Sequence, residues 1–202
     1  MRDARLDRLA NVIVGYSTRV KTGDVVAIVA EPGAQPLVEA LYSKVLKAGG
    51  NPHWMVRSEA LQGIMLREGT EEQLKAVSPF DMHLVETADV RIVLWAEVNT
   101  KAFGRVEPSR LAMQQAARKP MLKRFMERAA TGALRWCGTL YPTAASAQDA
   151  EMSLEEYADF VFKAGKLDLA DPVAAWRSVH ERQERVREAL QKCKGVRFFV
   201  PP

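Results

Sequence analysis

Gly23–Asp24–Val25–Val26–Ala27–Ile28–Val29–Ala30, followed at once by Glu31–Pro32–Gly33–Ala34–Gln35, is the stretch that decides the fold. Val25 to Ala30 carries no charge and is mostly β-branched, so it has no side to show water and reads as a strand buried on both faces. Gly23–Asp24 before it and Pro32–Gly33 after it punctuate the chain. The period then becomes helical, with Leu37, Leu41, Val45 and Leu46 on one stripe and Gly49–Gly50 as the stop. His53–Trp54–Met55–Val56 is a second short strand. A strand, a helix and a strand in close succession form a crossover, which pairs the two strands in parallel.

Outward from this unit the alternation continues. Upstream, residues 3–20 place Leu6, Leu9, Ile13, Val14 and Tyr16 at near-helical spacing. Downstream, two short helices are expected, the second opened by a capping box at Thr70-x-x-Gln73. Val90–Ala96 is a third strand, uncharged apart from Arg91, and Ala133–Thr139 a fourth. Between them a helical stretch from Ser109 to Ala130 contains Pro120, which must kink or split it. The last third is mostly helical. Ser153-x-x-Glu156 is a second capping box, with Leu154, Tyr157, Phe160 and Val161 on the apolar side. Asp171–Pro172 opens a long helix with Val173, Trp176, Val179, Val186 and Leu190 inward, and Val196–Val200 reads as a fifth strand. The expected fold is α/β: a mainly parallel open sheet of about five strands in a Rossmann-like three-layer arrangement, with a helical C-terminal third. Residues 1–202 form one domain in this reading. An apolar strand running straight into Pro201–Pro202 resembles a cut through a longer chain.

Composition narrows the classes of function. With 48% hydrophobic and 27% charged residues in 202, the chain is globular, a little longer than a typical ~150-residue domain. The longest apolar runs fall far short of the ~20 residues of a membrane helix, and MRDARLDRLA has no apolar core of a signal peptide. Cys137 and Cys193 make neither a disulfide framework nor paired metal spacing. A cytoplasmic protein without membrane contact is expected. Lys+Arg 29 against Asp+Glu 25 leaves +4, interleaved with acids. The densest basic patch, Arg118 to Arg124, reads as a solvated helix face, and no nucleic-acid partner is expected.

No phosphate-binding loop, dinucleotide fingerprint, nucleophile elbow or H-E-x-x-H helix is present. The turn after the first strand has a single glycine, too few for close approach to a dinucleotide phosphate. Of the three histidines, His53 begins a strand at the core edge and His180 sits in a solvated helix, while His83 and Glu86 can share a helix face from which Asp81 points away, which reads as a polar helical surface with a metal site as its rival. Cys137 reads as a small buried hydrophobe, with a cysteine hydrolase built on it as a rival. Open parallel sheets bind ligands beyond the carboxyl ends of their strands. Those ends carry Glu31 and Gln35, then Glu97, Asn99 and Thr100, then Thr139, Tyr141 and Thr143. They can hold a small polar ligand or simply cap helices. No catalytic set emerges from the residues.

One run adds a resemblance. Trp136–Cys137–Gly138–Thr139–Leu140–Tyr141–Pro142–Thr143–Ala144–Ala145–Ser146–Ala147–Gln148, then Met152–Ser153–Leu154–Glu155–Glu156–Tyr157 and Asp159–Phe160–Val161–Phe162, resembles the central signature of the aminopeptidase T family. These are thermophilic-type, leucyl aminopeptidase-like metalloaminopeptidases. Supporting matches are Tyr16–Ser17, Lys21–Thr22–Gly23–Asp24, Pro36–Leu37–Val38, Lys47–Ala48–Gly49–Gly50–Asn51–Pro52 and Asp171–Pro172–Val173–Ala174–Ala175–Trp176. The resemblance implies a two-domain hydrolase, usually a homodimer, that removes N-terminal residues from peptides with a pair of divalent metals, zinc, cobalt or similar. It implies that this chain is the N-terminal domain, with its catalytic C-terminal domain as partner and the metal ligands in that domain. No residue of this chain is therefore expected to be catalytic, cofactor-binding or metal-ligating, and the chain alone is expected to be inactive. The alternative is a stand-alone small-ligand or protein-interaction α/β domain.

Overall fold

The computed structural model describes residues 3–200. Four strands, β1 (Val25–Ala30), β2 (Asn51–Val56), β3 (Val90–Trp95) and β4 (Arg135–Leu140), form one all-parallel sheet in the order β2-β1-β3-β4. β1 lies between β2 and β3, with Ile28 opposite Trp54 on one side and Ile92 on the other. Burial on both flanks and both faces is what its unbroken apolar run requires.

The expected fifth strand is not formed. Val196–Val200 is unpaired, and Phe198 and Phe199 are 85% and 83% exposed. Apolar, β-branched composition favours a strand only where a sheet edge is available to receive it, and none of the described strands pairs with this segment.

Alternate residues of each strand face opposite ways. One face presents Val26, Ile28, Ala30, Val90, Ile92 and Leu94 to the main core. This face is covered by α1 (Ala4–Asn11), its π-helical continuation (Val12–Ser17), α2 (Gln35–Lys47), and Phe162 of α9 (Leu154–Ala164). Arg5 of α1 reaches Asp159 of α9 and stacks over the Phe162 ring, 4.5 Å from its centre, which ties the two helices together. The other face carries Ala27, Val29 and Arg91 by register. It is covered more thinly, through Val85 of α5 (Pro79–Thr87) and Phe125 of α7 (Lys119–Ala130), which pack with Leu134. On this face a Cβ on Gly138 would lie 2.5 Å from the Trp95 ring, so only glycine lets that ring lie flat across β4.

Several helical readings need correction. Three helices, not two, separate β2 from β3: α3 (Glu59–Glu68), α4 (Glu71–Lys75) and α5, the last started by Ser78 and Pro79. Pro120 splits its segment, as expected, into α6 (Pro108–Ala117) and α7, with Arg118 between them. Leu46 of α2 is exposed, and Val38 and Ala40 are buried instead. In α9 it is Phe162 that turns inward, while Leu154 and Phe160 are exposed. α10 (Pro172–Gln191) packs on the core only through Val173 and Trp176, and its Val186 and Leu190 are exposed. A 3.6-residue stripe shows that a helix is amphipathic, not how far along its length a neighbour extends. α8 (Ala144–Asp149) and α9 begin as their caps require, with the Thr143 and Ser153 hydroxyls accepting the N–H groups of Ser146 and Glu156.

The amino ends of the strands are locked together. The turn before β1 meets the turn before β2: Gly23 N–H donates to Gly49 O at 2.9 Å, and Asn51 N–H to Asp24 O at 2.7 Å. Gly49 sits at φ +83°, and a Cβ there would lie 2.7 Å from Thr22 Oγ1, so the contact depends on glycine. Arg135, the first residue of β4, pairs with Asp24 at 2.7 Å and donates to the carbonyls of Thr18 and Arg19 at 3.1 and 2.6 Å.

Candidate functional site

In this strand order the chain leaves β1 in one direction to reach β2, and β3 lies on β1's other side. The connections diverge there, opening a crevice beyond the carboxyl ends of β1 and β3. The crevice encloses about 310 Å³. Glu31 enters it from the end of β1, Arg57 from the end of β2, and Glu97, Asn99 and Thr100 from the loop after β3. α3 contributes Glu59 and Gln62. Of the strand-end residues read from sequence, the fold thus brings Glu31, Glu97, Asn99 and Thr100 together.

The others go elsewhere. Gln35 Nε2 donates to Glu39 at 3.0 Å, and Thr143 caps α8. Tyr141 lines a separate hollow of about 160 Å³ with Asp3, Leu154 and Phe162, where burial first, and then Asp3, pushes its phenol upward. Thr139, within β4, lines neither hollow.

The crevice is acidic. Burial pushes the Glu31 carboxyl above its ordinary value. The Glu59 backbone N–H opposes this, the Glu59 and Glu97 carboxylates add to it, and Arg57 offsets them. Glu59 Oε2 is buried without a hydrogen-bond partner. Three carboxylates facing one guanidinium favour hydrogen-bond donors and positive charge, so the arrangement is suited to holding a small polar group. Asn99 Oδ1 is already engaged by the Lys101 N–H at 2.9 Å, as a loop-closing contact.

No nucleophile is activated at the readable candidates. Cys137 is half-buried, and burial pushes its thiol up against a weaker opposing hydrogen bond with Ser17, the reverse of what a catalytic thiolate needs. His53 and His180 are exposed, His53 on the edge strand β2 rather than at the edge of the core. His83 is exposed on α5, while the neighbouring Glu86 carboxylate is taken bidentately by Arg124 at 2.7 and 2.9 Å. Among the described residues no three His, Cys, Asp or Glu side chains converge as metal ligands. The donor set of the described residues does not fit a divalent metal pair.

Sequence reading missed Arg57 and Glu59, which follow β2 where no motif marks them. Arg91 carries one signal in the sequence, its position as the only charged residue of an otherwise apolar strand.

An open parallel sheet covered by helices, with a polar crevice at its topological switch point, defines a three-layer α/β domain. The sequence family described as thermophilic metalloprotease (M29) matches residues 2–199, and the chain belongs to that family. Aminopeptidase 2 of Geobacillus stearothermophilus is 26% identical over 204 aligned positions, which cover 93% of this chain and 48% of that protein. The structure of wild-type AmpT from Thermus thermophilus superposes with a TM-score of 0.75 at 19% identity, over 92% of this chain and 48% of that one. That likeness shows the fold. The chain spans about half the length of the relatives it matches.

Proposed function

We propose that this chain is the N-terminal, non-catalytic domain of a metal-dependent aminopeptidase that removes N-terminal residues from peptides. The observation that carries the reading is the match of the metalloprotease family along residues 2–199, by a chain spanning about half of a relative named as an aminopeptidase. In this reading the divalent metals, zinc, cobalt or similar, are held by the part of the enzyme outside the match. Homodimerisation and a cytoplasmic location belong to the same proposal through the family resemblance. No helix of the described residues is long and apolar enough to cross a membrane.

Two assays test it. The purified 202-residue chain, given aminoacyl p-nitroanilides with zinc or cobalt, is expected to release no chromophore, and chelator-sensitive release would refute the non-catalytic role. Replacing the matching half of Aminopeptidase 2 with this chain is expected to give a folded chimera with chelator-sensitive activity. A folded, metal-loaded chimera without activity would count against the domain assignment and favour a stand-alone ligand-binding domain built on the acidic crevice.

A further inference from the structure

A third hollow lies against the thinly covered face of the sheet, enclosing about 320 Å³. Val29 of β1 and Met55 of β2 form its floor, and α5 and the α6–α7 junction wall it. Three guanidiniums line it, those of Arg57, Arg91 and Arg118, against the single carboxylate of Asp81. Arg57 also faces the carboxylates of the acidic crevice, so Arg91 and Arg118 against Asp81 leave one positive charge uncompensated here.

Arg5, Arg124, Arg135 and Arg187 all meet carboxylates. Arg57, Arg91 and Arg118 form no ion pair among the described residues. Lacking an ion pair does not by itself set these arginines apart, since Arg8, Arg110 and Arg128 donate to backbone carbonyls instead. Arg91 is the most constrained of the three. Register places it on an interior strand opposite Ala27, where an aliphatic residue would pack more favourably. Its Nε is buried without a hydrogen-bond partner, and its guanidinium lies 5.4 Å from the centre of the Phe125 ring. Burial, and after it Arg57, pushes the Arg91 guanidinium below its ordinary value, with Asp81 opposing and Arg118 adding.

A half-buried, unpaired guanidinium beside two more destabilises the empty fold, and a bound anion would reverse that sign. Each guanidinium offers a planar fork that matches carboxylate or phosphate oxygens. Ser58, at the rim, accepts the Leu61 N–H at 3.3 Å and keeps its own hydroxyl proton to donate. The volume equals about ten waters at ~30 Å³ each, more than a bare phosphate needs. We propose that this cavity binds a small dianionic oxyanion compound, a phosphate monoester or a dicarboxylate, between the guanidiniums of Arg57, Arg91 and Arg118. The proposal does not depend on the peptidase reading.

The test uses the 202-residue chain and two probes, inorganic phosphate and succinate, each against chloride at matched ionic strength. Thermal melting and titration calorimetry are expected to show saturable binding of at least one probe at millimolar concentration or below. Phosphate alone points to a phosphorylated ligand, and succinate alone to a dicarboxylate. Arg118→Gln, at an exposed helix junction, should weaken binding about tenfold without lowering the melting temperature in chloride. Arg91→Met should abolish binding and raise the melting temperature in chloride, an increase that a purely structural arginine would not give. The inference fails if neither probe binds saturably beyond chloride, or if binding survives both substitutions.

Discussion

Arg135→Met tests how the sheet is closed at its amino end. Arg135 spans the start of β4, the Asp24 carboxylate before β1, and the carbonyls of Thr18 and Arg19. The two side chains of the ion pair are 23% and 11% exposed, so solvent screens it only in part. Breaking a fully buried pair by removing one partner costs roughly 3–5 kcal/mol. Here Asp24 keeps the Lys21 N–H, and the pair is partly wet, which lowers the expected loss to about 2–3 kcal/mol. For a chain of this size each kcal/mol moves the melting temperature by about 2–4 °C, so a drop of roughly 5–10 °C is expected. Urea unfolding followed by circular dichroism should show a lower midpoint with an unchanged slope. A double-mutant cycle with Asp24→Asn isolates the pair, with a coupling of about 1–2 kcal/mol. A loss under about 0.5 kcal/mol, or full additivity of the two substitutions, would refute the lock.

Two further outcomes follow from the sites. Glu31→Gln should stabilise the protein at pH 7 and leave it unchanged near pH 4. The folded carboxyl is raised, so its penalty is absent while both states are protonated, grows as pH rises past the unfolded value, and is complete above the folded one. Melting curves of parent and variant at the two pH values check this, and an equal gain at both would remove burial of charge as the cause. Iodoacetamide at neutral pH should label the exposed Cys193 well before Cys137, whose thiol burial holds up. Mass spectrometry of the labelled peptides reads the order, and fast labelling at Cys137 would revive a cysteine-based chemistry.

What could be read from the residues follows from which interactions are local. The β1 run, the Pro120 break and the caps at Thr70, Ser153 and Asp171 are decided within a few residues of themselves, and all were legible. Val196–Val200, Leu46, Phe160 and Leu190 were misread because burial needs a partner that no local pattern supplies. The same holds for function. Arg57, Arg91 and Arg118 are 61 residues apart end to end, and only the register of β3 and the break at Pro120 bring them to one cavity.

The stretches that carry the family resemblance act mainly on the scaffold. Lys21–Thr22–Gly23–Asp24 and Lys47–Ala48–Gly49–Gly50–Asn51–Pro52 looked like separate turns in sequence. In the fold they meet, Gly23 on Gly49 and Asp24 on Asn51, with Arg135 drawing in the strand that leads to Trp136 and Cys137. Other signature residues cap helices, Thr143 on α8, Ser153 on α9 and Asp171 on α10, and Phe162 packs in the core. Motif residues that close turns, register strands and start helices act on the scaffold, and none of these contacts reaches the acidic crevice or the arginine cavity. Substitutions in the signature should therefore change stability without changing what the surface holds, whereas substitutions at Glu31 or Arg91 should change both.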